Sequence, residues 1–62
     1  MKWIDGTPPD MGEKDRVWIV AEIPSLFLEE AYSYKTFVWL KGGGWHDKEV
    51  LRTRRWMLIP VN

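Results

Sequence analysis

Cationic and aromatic side chains near the end of this 62-residue chain are the residues best suited to chemistry with a partner. Arginine and lysine meet phosphates and tryptophan stacks on bases, so the combination is typical of nucleic-acid-binding surfaces. Tryptophan, tyrosine and arginine are also the residue types richest in protein-interface hot spots. We therefore predict a partner-binding surface, with Phe27 as an additional apolar member. Its predicted residues are Lys48, Arg52, Arg54, Arg55, Trp45 and Phe27.

The charge balance favours a protein over a nucleic acid as that partner. Nine lysines and arginines match nine aspartates and glutamates, so no net positive charge attracts a polyanion. The charges are nevertheless segregated: residues 1–30 carry three cations against seven carboxylates, and residues 31–62 carry six against two. Either the two halves pair within one sheet, or the asymmetry marks a binding face for another protein or a second copy.

The residue types of the chain argue against a catalytic site or a metal site. The chain has no cysteine and one histidine, which leaves neither a thiolate site nor a zinc site. His46 and Asp47 are neighbours, so on a strand their side chains point to opposite faces and do not form an acid–base pair. Residues 42–44 are three glycines without the Lys-Ser/Thr and helix of a phosphate loop, and they predict a hairpin turn. We expect a protein that is not an enzyme and binds no cofactor or metal.

Alternating apolar residues predict the strands that must position these side chains. The first is Arg16–Ile23, whose odd-numbered apolar residues share one face. The second is Tyr32–Leu40, and a short third strand begins near Trp45, after the glycines. A final strand-like run from Arg52 to Pro60 would place Arg52, Arg54 and Trp56 on one face.

These elements predict a mainly β fold: one domain, residues 1–62, built as a small antiparallel sheet of three to four strands. Residues 26–30 form either one short helical turn, capped by Ser25, or a wide hairpin connection. Phe27 in that segment is then an exposed patch or, as we favour, a satellite of the core. Trp56 is predicted to be core. A chain this short has limited apolar surface to bury, so a homodimer is also considered.

We expect no secretory signal at the start of the given sequence, because Asp5 and the pair Pro8-Pro9 interrupt any apolar run. The apolar stretches are also far shorter than the ~20 residues of a membrane span. The sequence therefore predicts a cytoplasmic protein with no membrane partner.

Three groups of residues carry a resemblance to a known family. The opening has Trp3-Ile4, then Pro8–Gly12 and Val17–Val20; the middle has Ala31-Tyr32 and Gly44–Asp47; the close is Arg55–Pro60. With these motifs the chain resembles a family of short phage and prophage proteins of unknown function. The family favours histidine at the position of Arg55 and proline at that of Leu58. The resemblance implies a small β-rich fold and a phage setting inside a host cell, and it carries no catalytic residue across.

Together, these features predict a non-catalytic phage-type accessory protein that binds a host macromolecule, for example as an inhibitor of a bacterial defence or nucleic-acid-processing complex. The alternative is a nucleic-acid-binding module that uses Arg52, Arg54 and Arg55.

Overall fold

A computed structural model describes residues 2–60 as one curled antiparallel sheet of five strands. The strands are β1 (Ile4–Asp5), β2 (Arg16–Pro24), β3 (Tyr32–Leu40), β4 (Gly44–Trp45) and β5 (Arg55–Leu58). Their order across the sheet is β1-β5-β2-β3-β4, so the last strand lies between the first two. The mainly β prediction is confirmed, with one strand more than the sequence indicated, because the short opening segment joins β5.

The sheet is built around β2, which has a neighbour on each side. It pairs with β3 along its whole length, from Arg16↔Leu40 to Pro24↔Tyr32, and with β5 over its central residues, from Ile19↔Leu58 to Glu22↔Arg55. A strand flanked on both sides satisfies its backbone polar groups with neighbouring strands. Which side chains of β2 are buried therefore depends on which face of the sheet they occupy.

One face of the sheet, here called the inner face, carries the core. The predicted alternation in β2 is confirmed, since its odd-numbered apolar residues are all buried. Trp56 is 5% exposed and belongs to this core, also as predicted. The buried apolar residues are Val17, Ile19, Ala21, Ile23, Phe37, Trp39, Val50 and Trp56. The opposite face is called the outer face below.

A 3-10 helix, Lys48–Arg52, leads into β5. The carboxylate of Asp47 accepts a hydrogen bond from the N–H of Glu49 at 2.9 Å, and the turn buries Val50 in the core. Of the two alternatives for residues 26–30, the structure shows the hairpin connection, and a short helical turn forms at this later position. An N-terminal cap combined with an apolar residue that reaches the core stabilises the turn here.

The glycine-rich segment forms the predicted turn between β3 and β4. The N–H of Gly43 donates to the carbonyl of Leu40 at 3.0 Å. Gly42 and Gly44 have φ values of 84° and 71°, a region in which L-residues are strained. After the turn, the Trp45 ring meets the Trp39 ring edge to face, with 5.5 Å between ring centroids.

Candidate functional site

The connection between β2 and β3 holds three large apolar side chains in solvent. We call residues Leu26, Phe27 and Leu28 the apolar loop. All three are exposed, and Phe27 is 91% exposed. Large apolar side chains grouped on a surface mark interaction sites more often than isolated ones do. The prediction that Phe27 is a satellite of the core is wrong, whereas its role as a partner-binding residue stays a prediction.

Local hydrogen bonds fix the shape of this connection. The hydroxyl of Ser25 accepts from the N–H groups of Phe27 and Leu28, each at 3.1 Å. The N–H of Ser25 donates to the carbonyl of Ala31 at 2.9 Å, which closes the base. Glu30 adopts a positive φ of 62° and turns the chain into β3. Because these bonds are all local, the connection is ordered without burying its apolar side chains.

Two carboxylates border the apolar loop. Glu29 and Glu30 follow Leu28 directly and are both exposed. Neither of them forms a salt bridge within residues 2–60. The loop therefore presents an apolar tip next to two negative charges that the described chain does not neutralise.

A second cluster lies on the outer face around Glu22, a 2% exposed carboxylate. Its Oε2 accepts from the hydroxyl of Tyr34 and from Nη2 of Arg55, both at 2.9 Å. Its Oε1 accepts from Nη1 of Arg54 at 3.4 Å. A buried charge is tolerated when it is paired and hydrogen-bonded in this way.

The two arginines of the cluster also stack on aromatic rings. The guanidinium of Arg55 lies 4.5 Å from the ring centroid of Trp3, and that of Arg54 lies 4.9 Å from the centroid of Tyr32. Both arginines thus have a carboxylate and an aromatic face as neighbours within the chain. A phosphate group would have to displace Glu22 to reach them fully.

The electrostatics of the cluster favour its charged form. The hydrogen bond from Arg55 lowers the pKa of Glu22, although burial opposes this shift. The same hydrogen bond raises the pKa of Arg55. Glu22 and Arg55 consequently remain ionised as a pair at neutral pH, which is a stabilising arrangement rather than a proton-transfer site.

The structure brings Arg54 and Arg55 together on Glu22, but it does not gather all six predicted binding residues on one surface. Strand β5 begins at Arg55, not at Arg52, so the predicted alternation of arginines with Trp56 is wrong. Arg52 belongs to the 3-10 helix, where its Nη2 donates to the carbonyl of Pro24 at 2.7 Å and its Nη1 to Glu49 at 3.4 Å. Arg54 precedes the strand and reaches the outer face together with Arg55.

The other predicted members have separate locations. Trp45 is half-buried, and its Nε1 donates to the carbonyl of Pro9 at 3.2 Å, so it ties the opening loop to the β3–β4 hairpin. Lys48 is exposed at the start of the 3-10 helix. Phe27 is at the tip of the apolar loop. Among the six predicted residues, Phe27 is the apolar one that is fully accessible.

Sequence reasoning left Leu26, Leu28 and Glu22 out of the predicted site. The leucines flank Phe27, and their proximity to the strand-ending Pro24 was a usable signal for a projecting turn. Glu22 stands on the strand face opposite the buried residues, among Trp18 and Val20, where a lone acid signals a cationic partner. Which cationic residue lies next to Glu22 depends on the register in which β5 pairs with β2, and local sequence patterns do not specify that register.

The carboxylate of Asp47 is bound to groups other than its neighbour His46. Both residues line a shallow cleft of about 130 Å³ with Trp18 and Trp45. The carboxylate of Asp47 is engaged by the ammonium of Lys35 at 2.9 Å and by the N–H of Glu49, which lower its pKa in that order. Within residues 2–60, no three histidine, aspartate or glutamate side chains gather as a metal-binding group would require.

Comparisons with protein-family models, curated proteins and solved structures find no match to this chain. In the part of the chain that the structure describes, no helix has the length and apolar character needed to cross a bilayer.

Proposed function

We propose that this protein is a non-catalytic binding module that engages a partner protein through the apolar loop. The observation that carries the proposal is Phe27, which is 91% exposed on a connection fixed by hydrogen bonds to Ser25. An ordered loop loses little conformational freedom on binding, so more of the free energy of burying its side chains contributes to affinity. Phenylalanine flanked by two leucines suits an apolar pocket on the partner.

A protein partner fits the charges better than a nucleic acid does. Two of the three arginines of the predicted cluster, Arg54 and Arg55, are bound to Glu22. The third, Arg52, donates to the carbonyl of Pro24 and to Glu49. A nucleic-acid backbone would find no row of free cations here, and Glu29 and Glu30 beside the apolar loop would repel it. Exposed Tyr32 and Tyr34 remain the feature in favour of base stacking.

The resemblance to short phage proteins supports a bacterial host protein as the partner. An accessory protein of that kind acts by occupying a surface rather than by catalysis, which agrees with a site made of apolar side chains. Inhibition of a host defence or nucleic-acid-processing complex is the biological role we propose for such binding.

Photo-crosslinking tests the role of the apolar loop. With a benzoylphenylalanine in place of Phe27, we expect a discrete protein adduct in bacterial lysate, and we expect unlabelled parent protein to compete for it. The Phe27→Ser variant should keep the parent melting temperature and should fail to compete. Leu51, an exposed leucine on the 3-10 helix, provides the matched control position and should yield no such adduct.

An oligonucleotide titration tests the alternative. The parent should bind a short generic oligonucleotide weakly at physiological salt. Tight binding that is lost on replacing Arg52, Arg54 and Arg55 with glutamine would reject the protein-binding proposal. The slope of log binding constant against log salt concentration should become shallower by about one unit for each replaced arginine that contacts a phosphate.

A further inference from the structure

We propose that two copies of this chain associate edge to edge through β3, antiparallel about Tyr34. This interface is separate from the apolar loop and does not depend on the function proposed above. It follows from which backbone groups of β3 face solvent and from the side chains that a two-fold pairing would bring together.

The hydrogen bonds of β2 show which residues of β3 face outward. On the side of β5, the carbonyl of Trp18 accepts a hydrogen bond from the N–H of Ile59, and the carbonyl of Glu22 accepts one from the N–H of Arg54, each at 2.9 Å. The backbone N–H and C=O groups of successive strand residues point to alternate sides of the strand. Those of even-numbered residues in β2 therefore bond to β5, and those of odd-numbered residues bond to β3. The odd-numbered residues of β2 pair with odd-numbered residues of β3, as in Ala21↔Lys35.

The backbone N–H and C=O groups of the intervening residues, Tyr32, Tyr34 and Thr36, consequently point away from β2. Strand β4 pairs only with Trp39 and Leu40, and the next residues, His46 and Asp47, line a cleft with Thr36 without bonding to its backbone. No other described residue donates to or accepts from these groups. An open strand edge of this kind is a template for another strand.

The usual protection of an edge is missing at this point. Lys35 is the one charged residue in the open stretch Tyr32–Thr36. Its ammonium is directed to Asp47 and Glu49, at 2.9 and 2.8 Å, and does not guard the edge as a free charge. The hydrogen bonds to Glu49 and Asp47 raise the pKa of Lys35, so this neutralised ion group persists at neutral pH. Of the remaining side chains, the two tyrosines and the threonine favour β-structure, and Ser33 carries no charge.

The open stretch is complementary to itself in one register. Centred on Tyr34, two antiparallel copies place Tyr34 opposite Tyr34 of the second copy and Tyr32 opposite its Thr36. These are hydrogen-bonded positions that use every outward-facing group of the stretch. Ser33 then faces Lys35 of the second copy. A register centred on Lys35 instead sets two lysines directly opposite, which is unfavourable.

Sedimentation tests the association with defined variants. The parent should shift from monomer to dimer between micromolar and millimolar concentration. Thr36→Pro removes an outward N–H but none of the bonds to β2, so the variant should fold and remain monomeric. Thr36→Lys should also remain monomeric, because it places a free charge on the edge. Thr7→Lys, the same change at an exposed residue in the opening loop, should dimerise like the parent.

Crosslinking tests the register, because the chain has no native cysteine. Tyr34→Cys should form an intermolecular disulfide readily, since a hydrogen-bonded antiparallel pair has Cα atoms about 5.5 Å apart. Ser33→Cys should not, because its counterpart lies about 7–8 Å away on the diagonal. A parent that stays monomeric at millimolar concentration overturns the proposal, as does a Ser33→Cys variant that crosslinks faster than Tyr34→Cys. The Phe27→Ser variant should dimerise normally, which separates this interface from the apolar loop.

Discussion

A single carboxylate, Glu22, organises the outer face. It accepts from Arg54 and Arg55, two residues that are adjacent in sequence, and also from Tyr34 on the neighbouring strand. Adjacent strand residues would point to opposite faces, but Arg54 precedes β5 and is free to turn toward the same acid. Arg54 and Arg55, which the sequence predicts as part of a binding cluster, therefore bind a carboxylate of their own chain.

At the residue scale, Trp56 is the most sensitive position that we predict. Trp56→Ala removes a large buried ring from the inner face and should lower the free energy of unfolding by about 3–5 kcal/mol. Equilibrium urea denaturation measures the loss. Trp18→Ala, on the outer face where the ring is partly exposed, serves as the matched control and should cost less. Equal losses for the two variants would contradict the placement of Trp56 in the core.

The sequence predicts the burial of Trp56 but not the environment of Glu22, for a physical reason. Trp56 is the largest side chain of an apolar run, and such a run favours burial of one strand face, although Leu58 in the same run is 45% exposed. The partners of Glu22 come from β3 and from the segment around Arg55, which is 33 residues away along the chain. Their approach is determined by the pairing Glu22↔Arg55, and register between distant strands is a tertiary property.

At the element scale, two short segments begin in a similar way and end differently. Ser25 and Asp47 each accept hydrogen bonds from N–H groups two residues later. After Asp47, Val50 reaches the core and a 3-10 helix forms. After Ser25, no side chain of the apolar loop reaches the core, and the segment stays an irregular turn. Local capping signals alone do not distinguish the two, so the sequence left residues 26–30 open between a helical turn and a hairpin connection and did not indicate the 3-10 helix.

The turn between β3 and β4 yields a prediction for a matched pair of glycines. Gly42→Ala and Gly44→Ala each force a side chain into the left-handed region, at a cost of about 1–2 kcal/mol. At Gly44 the added Cβ would also lie 3.3 Å from Cζ3 of Trp39, whereas at Gly42 it meets no atom within 4 Å. Gly44→Ala should therefore be the more destabilising variant in thermal unfolding. The reverse order would contradict the packing of Gly44 against Trp39.

At the scale of the whole molecule, the acidic and basic halves meet within one chain. Glu22 pairs with Arg54 and Arg55, and Glu13 lies 3.7 Å from the ammonium of Lys41. The interpretation that the two halves pair within one sheet is supported by these contacts. Charge segregation along the sequence thus reflects strand order, and it does not by itself require a second copy.

Stability should accordingly depend on pH through Glu22. Its pKa is lowered in the folded state, so its contribution is present above the ordinary carboxyl range and is lost as pH falls through the folded pKa. Asp47, whose pKa is also lowered, adds in the same direction. The melting temperature of the parent should fall as pH decreases below about 4.

The variant Glu22→Gln isolates this contribution. It should melt at a lower temperature than the parent at neutral pH, and the difference should shrink in acid. Glu13→Gln changes an exposed carboxylate with one long contact and should follow the parent curve. Parallel pH curves for Glu22→Gln and the parent would show that the outer-face cluster contributes nothing through ionisation.

The edge-to-face contact of Trp39 and Trp45 has an optical consequence. Two indoles held 5.5 Å apart at 71° have electronic transitions that are close in energy and fixed in relative orientation. Such transitions couple, and a chiral arrangement of the pair produces circular-dichroism bands of opposite sign that neither ring has alone. Because the two rings belong to β3 and β4, this signal exists only while the hairpin is closed. The molecule thus contains an intrinsic chromophore pair that reports on that hairpin separately from the rest of the sheet.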